Sequence, residues 1–520
     1  MINSQNIKPF FIFSAITIIA VSFLIAGFNV YPPPSGNSSL FVPPAINLAA
    51  GNGLIDDLSH IRLNQTKDAR FISYPPLYPV LLSILMPRTD SIGAFVAIAV
   101  MEILIISFTA LILYKILRTT GDNGEISWFN ILIIIFSIFA IAGPLLNYNG
   151  TRPEIVFQLI SVAWIMSVIY LTRHKNLWML LGIIIGAGLA THPLHGFYFS
   201  ILSALLFSYV TNTKSAINNI LRAGVLGVLV FLLILALSPH GALDYLNGMR
   251  DMAFRYASTM IFWTGSSPLT GFESPLNTYG QDLLRYLVLS PASFFWGPFV
   301  LFVLILAAKN YKRLNSGIKS PHLFYLFLFV FLAVMSGIIF LGHADSIYYL
   351  TMLGSIFVVI ASYLVSKEKV FGRVVLFMLL ATMSISSLRV FVLMPFYFLD
   401  GVRISEARNI IENLNLPDCD DCVGISPANL WVLSENYPSI ITELQAERTG
   451  ENLGKTAKII LLGQHGSSLM EPPKEIKGCQ IEKDYFAKEK PPSFFGIKIA
   501  NIIPGHGFAV YECEIQTKSI

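Results

Sequence analysis

The chain has 520 residues, of which 54% are hydrophobic and only 13% charged, and its mean hydropathy is +0.64. Soluble domains carry about 25% charged residues, so this composition excludes a string of water-soluble domains and predicts a polytopic α-helical membrane protein. The formal net charge of +4 is too small to point to nucleic acid, and no nucleic-acid partner is expected. Its placement along the chain carries more information than its size.

A helix needs about 20 apolar residues to cross a bilayer. The first candidate covers residues 9–30, between Lys8 and the stop at Tyr31-Pro-Pro-Pro34. It is longer than the core of a signal peptide and lacks a small-x-small cleavage site, so it reads as an anchor. A long polar segment follows, in which residues 40–50 and 75–86 are amphipathic stretches suited to the interface. Further apolar runs cover residues 91–114, 128–146, 155–172, 177–191, 197–210, 223–238, 291–308, 323–341, 348–365 and 371–395. The runs 177–191 and 197–210 are short, and a merged or tilted pair is the alternative there. The expected total is about eleven spans.

Lys and Arg in short loops set the orientation. Lys8, Lys115, Arg118, Arg173, Lys175, Lys214, Arg222, Lys309, Lys312, Arg313, Lys319, Lys367, Lys369 and Arg373 all fall on one side, which is predicted to be cytoplasmic along with the amino terminus. An odd number of spans then puts the tail outside the plasma (inner) membrane. The expected division is a transmembrane part, 1–398, with large outer loops at 31–90 and 239–290, and a small extracytoplasmic α/β domain, 399–520. In that tail, residues 404–414 read as a helix, and 457–462 and 508–513 as strands. All four cysteines (Cys419, Cys422, Cys479 and Cys513) lie there, so two disulfides in one of three connectivities are expected outside the cell. A redox or zinc role for Cys419-Asp-Asp-Cys422 is the alternative, weakened by the lack of a second such pair and of an adjacent His.

Ionisable groups at span ends are costly unless they are used or paired, and several gather on the predicted outer side. The first outer loop carries Gly51-Asn-Gly53-Leu54 and then Pro75-Pro-Leu-Tyr78. On these motifs and on its layout the chain resembles the GT-C glycosyltransferases, in particular bacterial relatives of dolichyl-phosphate-mannose protein mannosyltransferase and of lipid A aminoarabinose transferase. Those proteins show an acidic residue soon after the first span, an interfacial helix ending in a Gly-x-Gly-like turn, and a Tyr/Pro-rich stretch entering the second span. The resemblance implies a transferase of inverting type. It would move a sugar from a polyprenyl-phosphate donor to a lipid, glycan or protein acceptor at the outer face, among membrane lipids. Such chemistry needs a carboxylate to take the proton of the attacking hydroxyl. It also needs cationic groups or a divalent metal ion to hold the departing phosphate.

The chain departs from the family where the acid is expected, because that position holds Asn37, which cannot serve as a carboxylate base. Asp56 and Asp57 lie just past Gly53 and are candidates for base or metal ligand; capping a helix or solvating a loop is their bland alternative. The Lys that precedes the Pro-Pro pair in the aminoarabinose branch is replaced by Tyr74, with Arg70 upstream. Arg152-Pro-Glu154 opens the 155–172 run. There Arg152 suits a bidentate grip on phosphate and Glu154 is a second carboxylate, although Pro and an acid also favour any helix start. His192 and His195 at the next outer end are candidates for phosphate or metal, against ordinary interfacial histidines. His343, Asp345 and Tyr348 in a short outer turn are candidate donor contacts, against an ordinary polar turn with an aromatic belt. Arg250, Arg255 and Arg285 in the second long loop are weaker ones, and Glu102 is an isolated acid near mid-span. Two other functions compete: a catalytically silent GT-C relative acting as scaffold or lipid-binding protein, and a lipid or sugar transporter. A transporter is expected to show internal repeats and broken helices at the midplane, and neither is evident.

Overall fold

The computed structural model describes residues 11–18, 38–55, 76–120, 128, 131, 135, 154–171, 176–210, 213–237, 423–426, 440–442, 457–463, 472–476, 479–485, 493–494, 497–498 and 508–513. The expected runs at 291–308, 323–341, 348–365 and 371–395, the loop 239–290, and the helix at 404–414 lie outside the described residues. Residues 11–18, inside the expected first span, are helical. So are Trp128, Ile131 and Ile135, in the expected 128–146 run.

Seven helices follow in the described part: α1 (Ser38–Ala49), α2 (Leu77–Leu85), α3 (Ser91–Thr120), α4 (Glu154–Leu171), α5 (Leu177–Thr191), α6 (Pro193–Val210) and α7 (Thr213–Leu235). Among the described residues, Ser91–Lys115 and Lys214–Leu235 are long and apolar enough to cross a membrane. Helices α1 and α2 coincide with the two amphipathic stretches read from the sequence. Pro43 and Pro44 sit inside α1, where their missing N–H groups weaken the ladder. Burial of Phe41, Val42 and Ala45 holds the helix in place.

Helix boundaries depart from the apolar runs wherever a polar turn is still helical. Helix α3 continues past residue 114 through Lys115 and Arg118, and α7 starts at Thr213, ten residues before the apolar run at 223, so that Lys214 and Arg222 belong to it. Long basic side chains at a span end extend toward the interface while their stems stay on apolar surface. At this end the Arg222 guanidinium sits 5.8 Å from the Trp178 ring centroid. The runs 177–191 and 197–210 are separate helices rather than one unit. Helix α5 stops because His192 turns extended (φ −164, ψ 137), the conformation favoured before a proline, and Pro193 opens α6 where no N–H is needed.

Close packing fixes how α5 and α7 run. A Cβ on Gly182 would lie 2.9 Å from the Ala223 carbonyl oxygen, and one on Gly186 would lie 2.6 Å from that of Gly227. The contacts advance in step along both helices, so α5 and α7 are parallel, with backbones close enough that side chains would separate them. Helices α4 and α6 are also parallel. Phe157 packs on Phe199 with centroids 5.2 Å apart, and further along the fully buried Trp164 donates its Nε1–H to Ser203 Oγ at 3.2 Å.

The tail contains β1 (Val423–Ser426), β2 (Ile440–Thr442), β3 (Ala457–Gly463), β4 (Glu475–Ile476), β5 (Cys479–Asp484), β6 (Ser493–Phe494), β7 (Ile497–Lys498) and β8 (Phe508–Cys513). Six of them form one sheet in the order β2-β1-β3-β8-β5-β4. Strand β1 is parallel to β2 and β3, whereas β3–β8, β5–β8 and β4–β5 are antiparallel. Strands β3 and β8 match the two strands expected from the sequence. Tyr511, fully buried on β8, donates its hydroxyl to the Pro473 carbonyl at 2.7 Å. Burial, aided by the Asp484 carboxylate, pushes its phenol above the usual value. Cys479 is disulfide-bonded, and the strand register sets it opposite Cys513. Cys419 and Cys422 lie outside the described residues.

Candidate functional site

Some of the features that the sequence singles out fall among the described helices: the Gly51-Asn-Gly53 turn, Tyr78 and the ends of the helices that carry Glu154, His192 and His195. Helix α1 ends at the Gly51-Asn-Gly53 turn, where both glycines take positive φ, 84° and 87°, a region that favours glycine. The Gly51 N–H bonds the Leu48 carbonyl at 3.1 Å and the Asn52 N–H bonds the Asn47 carbonyl at 2.9 Å. This pair of bonds is the Schellman closure of a helix. The reversal drives Leu54 into full burial against Leu235, the last residue of α7, with Leu48, Val80, Phe231 and Leu232 around them. The first long loop is thereby anchored on the carboxyl end of α7.

Tyr78 of the Pro-Pro-Leu-Tyr motif is fully buried and meets Phe41 edge to face, with centroids 5.4 Å apart. It joins α2 to α1, and its part here is packing. Helix α2 also touches α5. Asp90 begins α3 by accepting the Gly93 N–H at 2.7 Å and pairs with Arg88 at 2.7 Å.

His192 belongs to the same end. Because α5 and α7 run parallel in step, the residue after Thr191 comes level with the last turn of α7, where Leu54 packs. His192 is half-buried; its N–H bonds the Gly188 carbonyl at 2.9 Å and its carbonyl accepts the Gly196 N–H at 3.2 Å. The corner is tight. A Cβ on Gly188 would meet the Phe199 ring at 2.8 Å, and one on Gly196 would strike Leu189. His195 therefore lies within the first turn of α6 rather than in a loop.

Glu154 is the first residue of α4, one turn before Phe157, and His195 is one turn before Phe199. The Phe157–Phe199 contact thus brings the amino ends of α4 and α6 side by side at the His192 end. Each helix amino end carries about half a positive charge and N–H groups without partners in their own helix, an arrangement suited to an anion such as phosphate. The basic residues Lys115, Arg118 and Lys214 lie near the opposite ends of their helices.

Asn37, Asp56, Asp57, Arg70, Arg152, His343 and Tyr348 lie outside the described residues. Of the candidates, Glu154, His192 and His195 fall at helix ends within the described residues. Among the described residues no cluster of His, Cys, Asp and Glu is built to hold a metal. Asn47, which sequence reasoning passed over, donates from Nδ2 to the Ile55 carbonyl at 3.0 Å. Its place on an amphipathic helix gives no local signal, because the partner is eight residues on and across a turn.

No protein-family model matches the chain, and no curated protein does. Among solved structures, the fold is similar to that of the oligosaccharyltransferase AglB from Archaeoglobus fulgidus, solved with an inhibitory peptide and a dolichol-phosphate. That match has 12% identity and a TM-score of 0.49, over 87% of this chain and 69% of the other. It is also similar to ArnT from Cupriavidus metallidurans bound to undecaprenyl phosphate, with 11% identity and a TM-score of 0.45 over 98% of both chains.

Proposed function

We propose that this chain is a membrane glycosyltransferase that takes a sugar from a polyprenyl-phosphate donor and passes it to an acceptor at the extracytoplasmic face. The observation that carries the reading is the pair of helix amino ends, α4 and α6, set side by side beside the His192 corner and level with the anchored Gly51–Leu54 turn. An anion is favoured there, and Arg152, one residue from α4 behind Pro153, is a candidate to grip it in a bidentate way. A lipid phosphate suits a site at the end of a bundle whose sides are apolar. Support for the orientation comes from the basic residues at the far helix ends and from the Cys479 disulfide, since disulfides persist in oxidising compartments.

In the reaction, the acceptor hydroxyl oxygen bonds to the sugar's anomeric carbon as the bond from that carbon to the phosphate oxygen breaks. The phosphate leaves with the electron pair, and a carboxylate takes the hydroxyl proton. Asp56 and Asp57 are the carboxylates proposed for that step, with Glu154 as a further one. Arg70, His195, His343 and Tyr348 are proposed donor contacts, and a divalent metal ion is a proposed alternative to the cationic side chains at the phosphate. Asn37, in place of the family's acid, favours a second reading, a silent relative that binds lipid without transferring sugar.

The test is transfer by the purified protein in lipid nanodiscs with a panel of polyprenyl-phosphate sugars, read as release of free polyprenyl phosphate. Turnover is expected, falling at least about 100-fold in the Asp56→Asn/Asp57→Asn double variant, the low end of what general-base catalysis supplies. Full activity of the double variant would remove both aspartates from the mechanism, and no turnover with any donor favours the silent relative.

A further inference from the structure

We propose that α7 and the start of α5 hold one anionic phospholipid, its phosphate on Arg222 and one acyl chain along α7. This requires α7 to span the membrane and is independent of sugar transfer. Arg222 closes the polar opening turns of α7, which carry Lys214, Asn218 and Asn219, and it heads an apolar row. Val225, Leu229 and Leu233 follow it at three, seven and eleven residues, the spacing of one helix face. They are 62%, 57% and 73% exposed, so this face of α7 is turned to the bilayer. Eleven residues rise about 16 Å, close to half of a hydrocarbon core about 30 Å thick. An acyl chain from the leaflet at the amino end of α7 therefore has the length to lie along the row with its head group at Arg222.

The guanidinium is held at that level. Arg222 is exposed, and its guanidinium lies over the Trp178 ring, 5.8 Å from the centroid. Trp178 is the second residue of α5, half-buried, and of the residue type that marks the membrane–water interface. The level of the pair is fixed by packing, because Gly182, one turn beyond Trp178, meets Ala223 and Leu226 of α7. A guanidinium over a ring face still presents in-plane N–H groups at its edge, and these match two oxygens of a phosphate. Among the described residues no carboxylate pairs with Arg222, so its charge is left for a ligand. Asn218, exposed one turn earlier, lies on the same side of the helix and adds an amide. A cation at the head of an apolar row complements a molecule with an anionic head and an apolar tail. A zwitterionic lipid brings its own cation to the same place, and a soluble phosphate leaves the row unused.

The experiment takes the full chain in detergent, stripped of co-purified lipid, and titrates it with phosphatidylglycerol, with phosphatidylcholine of the same acyl chains, and with glycerol phosphate. Binding of the first lipid is read by native mass spectrometry, and the melting temperature is read without lipid. The wild type is compared with Arg222→Gln and with Arg118→Gln. Arg118 is exposed in the last turn of α3, so its variant removes the same charge from the same predicted side. The wild type is expected to bind phosphatidylglycerol at least about fivefold tighter than phosphatidylcholine, the worth of one basic residue at an anionic surface. Arg222→Gln is expected to bind both lipids alike, Arg118→Gln to keep the preference, and all three proteins to melt within about 2 °C of one another. No preference in the wild type, an equal loss in the two variants, or glycerol phosphate binding as tightly as phosphatidylglycerol overturns the proposal. So does a loss in Arg222→Gln that only follows a fall in melting temperature. None of these outcomes touches the transferase reading, which is tested by turnover.

Discussion

Thr109 and Tyr511 show how single polar groups are treated in the two parts of the chain. Thr109 is 2% exposed on α3, and its buried hydroxyl has no partner among the described residues. Such a group costs about 1–3 kcal/mol. Thr109→Val keeps the shape and removes the orphan, so it is expected to raise the thermal midpoint of the purified protein, by about 1 kcal/mol in stability. Tyr511 is satisfied by Pro473, and its raised phenol means that the folded tail favours the neutral form. That stability is present below the ordinary tyrosine range and is lost as pH rises through the folded value. Tyr511→Phe is expected to cost about 1 kcal/mol at neutral pH and to flatten the alkaline limb of tail unfolding followed by near-UV circular dichroism. Neither residue was legible in the sequence: Thr109 reads as one more span residue, and Pro473 is 38 positions from Tyr511. Tyr78 was legible as a motif but not in its role, because full burial against Phe41 depends on α1 folding back.

At the scale of elements, local chemistry was readable where proline and glycine act. Pro193 separates α5 from α6 and Gly51 ends α1, each through a backbone restriction belonging to that residue alone. The start of α7 was not, because a window of apolar residues detects the lipid-facing length and not the polar turn that continues the helix. Strands β1 and β2, four and three residues long, are too short for alternation to show. The glycines of α5 were visible, but their partners on α7 were not. Replacing Gly186 with Leu would force a Cβ to 2.6 Å from the Gly227 carbonyl oxygen and 2.7 Å from the Val230 Cβ, an overpacking expected to cost about 1–3 kcal/mol. Gly224→Ala, with no atom within 4 Å of the new methyl, is its matched control. In a detergent melt, Gly186→Leu is expected to lower the midpoint by several degrees and Gly224→Ala to leave it in place.

For the whole molecule, parallel pairing of α5 with α7 and of α4 with α6 decides which ends come together. That pairing turns a list of polar groups scattered in sequence into one end of a bundle. The sequence placed Glu154, His192 and His195 on one side through the basic residues of the opposite side, yet it had no means of setting two helix amino ends next to each other. Phe157 against Phe199 does so, and paired helix amino ends favour an anion. The central claim is therefore that the lipid phosphate binds at the His192 end. Its most direct test is the affinity of the full chain in nanodiscs for polyprenyl phosphate, measured for the wild type, for Arg152→Ala/His192→Ala/His195→Ala, and for Lys214→Ala as a control at the opposite end. A loss of about tenfold or more is expected in the triple variant, equal to about 1.4 kcal/mol, with the control unchanged. Equal affinity in the triple variant and the wild type, or a loss confined to Lys214→Ala, would contradict it.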